Sequence, residues 1–228
     1  MQRTESVISS NSDRYSELKL LGLTEKILLD ALTAGLHRRS EIVKGIHPQA
    51  SPGNNFREGV FEELRTKLRT KGFIAEFNRG VELTQNDKIA IYLSRGCPAT
   101  GISGLMPSSY NSKGEHTQQL FNLSSESHSL QENLFSIDVS NSGVINGTHQ
   151  VWVLLFHIKE SKEDMTIHAE LSMPFSCDKQ GRINSFSKRV ILDTSGIKVQ
   201  KYDVNINRHD NKHDAEFTEE IHLNVKLK

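Results

Sequence analysis

The chain has 228 residues, 36% of them hydrophobic and 25% charged, and its 28 Lys+Arg are balanced by 28 Asp+Glu. That length can bury one large or two modest cores, and that composition excludes a disordered polyelectrolyte. Cys97 and Cys177 lie far apart and outside any CxxC pattern, which reads as reduced thiols rather than a disulfide framework or a zinc site. No apolar run reaches membrane-spanning length and the N-terminus lacks a signal-peptide core, so the expectation is a cytoplasmic protein with no membrane partner.

The zero net charge hides an asymmetry: residues 1–96 carry 15 Lys/Arg against 12 Asp/Glu, and residues 97–228 carry 13 against 16. A basic excess on the first part suits contact with phosphate without demanding it.

In chain order, residues 1–14 are polar and read as a frayed start. Thr24 is placed to cap a helix running through Ile27, Leu28, Leu29, Ala31 and Leu32, with Gly35 as its terminator. A second helix is predicted from Ser40 as N-cap through Ile42, Val43 and Ile46. A turn rich in Pro, Gly and Asn follows over residues 47–55. Phe56, Val60, Phe61, Leu64 and Leu68 then recur at three and four, the spacing of one helix face, and Lys71-Gly72 supplies a basic last turn with a left-handed cap. The period changes to two: Phe73, Ala75 and Phe77, a turn at Asn78-Arg79-Gly80, and a return through Val81-Glu82-Leu83 predict a hairpin. Thr84 and Asp87 predict the start of a closing helix through Ile89, Ile91, Tyr92 and Leu93.

A helix, a two-stranded wing and a closing helix resemble the second half of a winged helix-turn-helix, of the sort typified by the MarR and PadR families. The phrase LRTKLRTKGFIAEFNRGVELTQNDKIAIYL carries the resemblance, which covers residues 15–95. It implies double-stranded DNA as partner, a homodimer reading a pseudo-palindrome, and a role in transcription regulation. The helix from Phe56 would be the one presented to DNA. Asn54, Asn55 and Arg57 fall at its start, where base edges are read, because arginine forks match guanine and asparagine amides match adenine. Arg65 and Arg69 continue its outward side, and Arg79 at the wing tip is placed to touch phosphate or enter a minor groove. The competing reading of the same arginines is a solvated face paired with neighbouring glutamates.

Residues 96–131 are rich in Gly, Ser, Pro, Asn and Gln and read as a linker or a strap laid over a domain. From residue 132 the period is two. Strands are predicted at Leu134–Val139, Val151–Ile158, Met165–Met173, Ile183–Leu192, Ile197–Ile206 and Phe217–Leu227. The all-apolar VWVLLFHI suits a central strand covered on both faces. The fold class is therefore α+β: an N-terminal winged helix-turn-helix domain over 15–95, the 96–131 connector, and a C-terminal antiparallel β domain, sandwich or curled sheet, over 132–228.

Three further constellations are weighed. His209 and His213 with Asp210 and Asp214 sit in a hairpin loop, where His-x3-His does not put both rings on one face. Asp138, Glu160 and Lys162 only loosely resemble the carboxylates and lysine of restriction-type nucleases. Neither Cys97 nor Cys177 opens a helix beside basic residues, the setting that activates a thiol. No catalytic residue, cofactor or metal is assigned. The expected function is DNA binding by a transcriptional regulator whose β domain senses a ligand, dimerises or docks a protein. The alternatives are a non-catalytic adaptor subunit using the winged helix for docking and, behind it, a metal-dependent nuclease.

Overall fold

The computed structural model describes residues 6–126 and 150–201. Its helices come early in the chain. Helix α1 (Asn11–Leu20) is capped by Ser10, whose hydroxyl accepts from Asp13 N, and α2 (Glu25–Ser40) is capped by Thr24 as predicted. Gly35, the expected terminator, lies inside α2. A Cβ there would stand 2.6 Å from Val60 Cγ2 and 2.8 Å from Phe56 O, and one on Gly59 would stand 2.9 Å from Ala34 O. The two glycines let α2 and α3 (Ser51–Leu68) approach backbone to backbone.

The helix predicted from Ser40 to Ile46 does not form. Gly45 takes φ 90°, which breaks a right-handed helix, and Ile46 is exposed, so there is no apolar side to bury. Helix α3 instead begins at Ser51 with Pro52 in its first turn, five residues before Phe56, and the asparagines expected in a turn are helical. It buries Phe56, Val60, Phe61, Leu64 and Leu68, the stripe read from the sequence. A single 3-10 turn (Arg69–Lys71) and left-handed Gly72 end it.

The hairpin is present as β2 (Ile74–Asn78) and β3 (Val81–Gln85), closed by Arg79 and Gly80 at φ 47° and 82°. Two successive positive φ values give a turn whose twist matches its strands. The closing helix is a strand, β4 (Ile89–Arg95), a correction with a local cause. Thr84 is fully buried in β3, and Asn86 Oδ1 accepts from Lys88 N and Ile89 N, both at 2.9 Å, so the chain turns sharply before Ile89. Ile89 and Ile91 then face one core while Ala90 faces another, a period of two covered on both sides.

Strand β4 pairs antiparallel with β3 and parallel with β5 (Gln150–Glu160). Next come β6 (Asp164–Cys177), β7 (Ile183–Ile191) and β8 (Lys198–Gln200), and the start of the chain adds β1 (Ser6–Ile8) parallel to β7. The eight strands form one mostly antiparallel sheet in the order β1-β7-β6-β5-β4-β3-β2, with β8 on β6. The predicted partition at 95, 96–131 and 132 falls across this continuous sheet. Pro174, which has no N–H to give the sheet, sits inside β6 among register shifts between Met173 and Cys177. The predicted strands Leu134–Val139 and Phe217–Leu227 lie outside the described residues, as does the end of the predicted Ile197–Ile206 strand.

Helices α1–α3 pack on one face of the sheet, where Leu28, Leu32, Phe56 and Leu64 meet Trp152, Leu154, Ile167 and Leu171. The other face, bearing Val153, Leu155, Ile183 and Phe186, is covered by α4 (Glu115–Glu126) through Phe121. Residues 96–113 lie over this second face too. Glu170, itself fully buried, accepts Gly101 N at 2.8 Å and pairs with buried Arg189, whose Nη1 donates to Leu105 O at 2.8 Å.

Candidate nucleic-acid interface

Helix α3 turns its N-terminal exposed side toward α2 on one flank and toward the hairpin on the other. In β3, Val81 and Leu83 face the core under α4, so Glu82 and Thr84, which alternate with them, face α3. Phe61 is buried between the two arginines on its helix: the guanidinium of Arg57 lies 5.2 Å from its ring centre and that of Arg65 4.4 Å. Both arginines then reach Glu82. Arg57 Nη2 donates to Oε2 at 2.7 Å and Arg65 Nη2 to Oε1 at 2.8 Å. Arg65 is further fixed by Nε donating to Thr84 Oγ1 at 3.2 Å. On the other flank Arg38 of α2 binds Glu62 and stands 3.8 Å from Glu58.

These side chains and Asn54 line a groove of about 490 Å³. Of the six residues marked as DNA contacts, it brings together Asn54, Arg57 and Arg65. Asn55 is turned into its own helix, its amide donating to Ser51 O at 2.9 Å. Arg69 sits beyond the helix end in the 3-10 turn, and Arg79 occupies the hairpin turn. Both are exposed, and neither has an ion pair among the described residues.

Electrostatically the groove is neutral: Arg38, Arg57 and Arg65 against Glu58, Glu62 and Glu82. Arg57 and Arg65 are paired, but with Glu82 from the hairpin rather than with a glutamate on α3 as the competing reading expected, and Glu58 and Glu62 are taken by Arg38 of α2. Sequence reading missed Glu82, Phe61 and Arg38 as members of this surface. The alternation of Val81-Glu82-Leu83 placed Glu82 on the face opposite its apolar neighbours, but only the fold shows which helix covers that face.

The other constellations do not assemble. Glu160 is bound by Arg39 and stands 3.2 Å from Lys201 Nζ; burial pushes its carboxyl up, and the two cations outweigh that and hold it below the usual range. Lys162 is exposed, and Asp138 lies outside the described residues, as do His209, Asp210, His213 and Asp214. Cys97 and Cys177 are half-buried free thiols. Burial raises the Cys97 thiol, but backbone N–H groups of Ser108, 3.3 Å from Sγ, and Ala99 bring it below its ordinary value. Among the described residues no cluster of three His, Cys, Asp or Glu could hold a metal, and no helix is long and apolar enough to cross a membrane.

Comparison with family models, with curated proteins and with solved structures finds no match to this chain.

Proposed function

We propose that the protein binds double-stranded DNA through the N-terminal half of α3 and the β2–β3 hairpin, as a transcriptional regulator acting as a homodimer. One observation carries the reading: Asn54, Arg57 and Arg65, three of the six residues expected to contact DNA, line one groove beside a hairpin whose tip bears an exposed arginine with no ion pair among the described residues. That arrangement offers base-reading side chains on the helix and a phosphate contact on the hairpin tip. The sheet beyond β4 is the part available for sensing, dimerisation or a protein partner.

A second reading, an adaptor that docks protein, is favoured by the outer edge of the sheet. Among the described residues strand β2 is paired on one side only, with Phe77 72% and Ile74 60% exposed, and Glu58 and Glu62 on α3 repel phosphate. A salt titration separates the two. The labelled duplex is the DNA upstream of the protein's own reading frame, with a scrambled control. A regulator binds the native duplex tightly, weakens steeply as salt rises, and loses binding when Arg57 and Arg65 become alanine. Equal weak binding to both duplexes, or none, overturns the regulator and leaves the adaptor.

A further inference from the structure

Two guanidinium forks that converge on both oxygens of a single carboxylate form a ready-made oxyanion site with an occupant already in place. Arg57 and Arg65 are two turns apart on α3, and each lies over the Phe61 ring, which sets their planes. Glu82 receives one fork on each oxygen, at 2.7 and 2.8 Å. Each arginine gives the carboxylate one charge-assisted N–H bond, and guanidinium donors placed this way suit carboxylate and phosphate oxygens alike. The site is accessible: half of the Arg57 side chain and a quarter of that of Glu82 are exposed. Arg65 stays tied to the hairpin through Thr84 Oγ1 and Leu83 O, so it keeps its place when the carboxylate leaves.

We propose that Arg57 and Arg65 are a phosphate-binding fork for the DNA backbone, and that Glu82 is its built-in competitor, so that DNA binds by displacing Glu82. This rests on the DNA reading above and adds how that surface is held in check. With Glu82 in place the fork presents one net positive charge, and the neighbouring Arg38, Glu58 and Glu62 present one net negative charge. A phosphate approaching the groove therefore meets no net attraction until the carboxylate moves aside. Without the Glu82 charge the fork carries two positive charges in the same place. The consequence is weak binding of arbitrary DNA by the native protein, and only a duplex supplying further contacts through Asn54 and Arg79 binds tightly. Displacement of Glu82 releases Arg57 from the hairpin, while Arg65 keeps its hold on Thr84 and Leu83 of β3.

The test is fluorescence anisotropy with the full chain, the native and scrambled duplexes, and a glutamate-rich peptide. Glu82→Gln keeps the shape and removes the charge. It is expected to tighten duplex binding about tenfold or more at fixed salt and to steepen the log–log salt slope by about one phosphate contact. Glu82→Asp, too short to span both arginines, should give an intermediate gain and serves if the glutamine variant does not fold. Adding Arg57→Ala to Glu82→Gln should abolish the gain. If native protein and Glu82→Gln bind the duplex equally well, the competitor role is overturned while the DNA reading stands. If no variant binds either duplex, both fall. A gain for the acidic peptide without one for DNA overturns the phosphate assignment.

Discussion

Glu170 and Arg189 meet on adjacent strands β6 and β7, at 0% and 1% side-chain exposure, with Nη2 2.7 Å from Oε2 and Nε 3.0 Å from Oε1. Every oxygen of the carboxylate has work: Ser172 Oγ donates to Oε1 at 2.8 Å and Gly101 N to Oε2. The pair holds residues 101–105 on the sheet, and its loss leaves a buried charge without a counter-ion. Arg189→Met is expected to destabilise by about 3–5 kcal/mol in urea unfolding. Lys113 is a partly buried charge, and a less well-compensated one. Its Nζ donates to Ser94 Oγ at 2.8 Å and lies 5.6 Å from the Tyr92 ring centre, with no carboxylate in reach among the described residues. Burial pushes its pKa down from 10.5 to about 8. The folded state therefore holds this proton less tightly than the unfolded chain. The penalty is full below pH 8 and fades as pH rises from about 8 toward 10.5. Lys113→Met should be more stable than the native protein at pH 7, by on the order of 2 kcal/mol. That advantage should shrink by pH 10 when the two are melted side by side. Neither the Glu170–Arg189 pair nor the setting of Lys113 was legible in the sequence. Glu170 alternates with Ala169 and Leu171 in β6, and alternation separates two faces without saying which of them another segment covers.

At the scale of elements, what could be read was whatever one element decides by itself. The α3 stripe from Phe56 to Leu68, the Thr24 cap, the left-handed Gly72 and the hairpin turn all follow from local spacing and backbone freedom, and all are present. The errors came where a neighbour decides. Ile89–Leu93 carries apolar residues consistent with either period, and it is a strand because β3 and β5 flank it. Gly35 looked like a stop because a helix glycine usually costs stability, whereas here α3 fills the space its missing side chain leaves. Helix α1 was overlooked in a polar stretch, although Ser10 three residues before Asp13 is an N-terminal signal. Gly35→Ala gives the check. The added methyl meets backbone at Phe56 O as well as the Val60 side chain, so α2 and α3 must separate. A loss of about 1–3 kcal/mol is expected in urea unfolding, with helical circular dichroism retained. Gly53→Ala, which has open space around it in α3, should cost nothing comparable.

For the molecule as a whole, the candidate surface belongs to the same sheet as the strands that follow it. Phe73 and Ile91 share one core with Trp152, Leu171 and Val190, so the groove is backed by residues from most of the described chain. The sequence pointed to a winged segment and a separate β region because composition changes at residue 96. A change in composition marks where the chain leaves regular structure, not where one core ends. The arrangement of β4 and β5 has a further consequence for how the protein is made. These neighbours run parallel, and 54 residues separate Arg95 from Gln150 along the chain. The first strand, at residues 6–8, has its partner at 188–190. A ribosome will therefore have delivered every residue of the groove long before the strands that back it emerge. The nascent N-terminal half must wait with the apolar edge of β4 uncovered, a natural client for a chaperone.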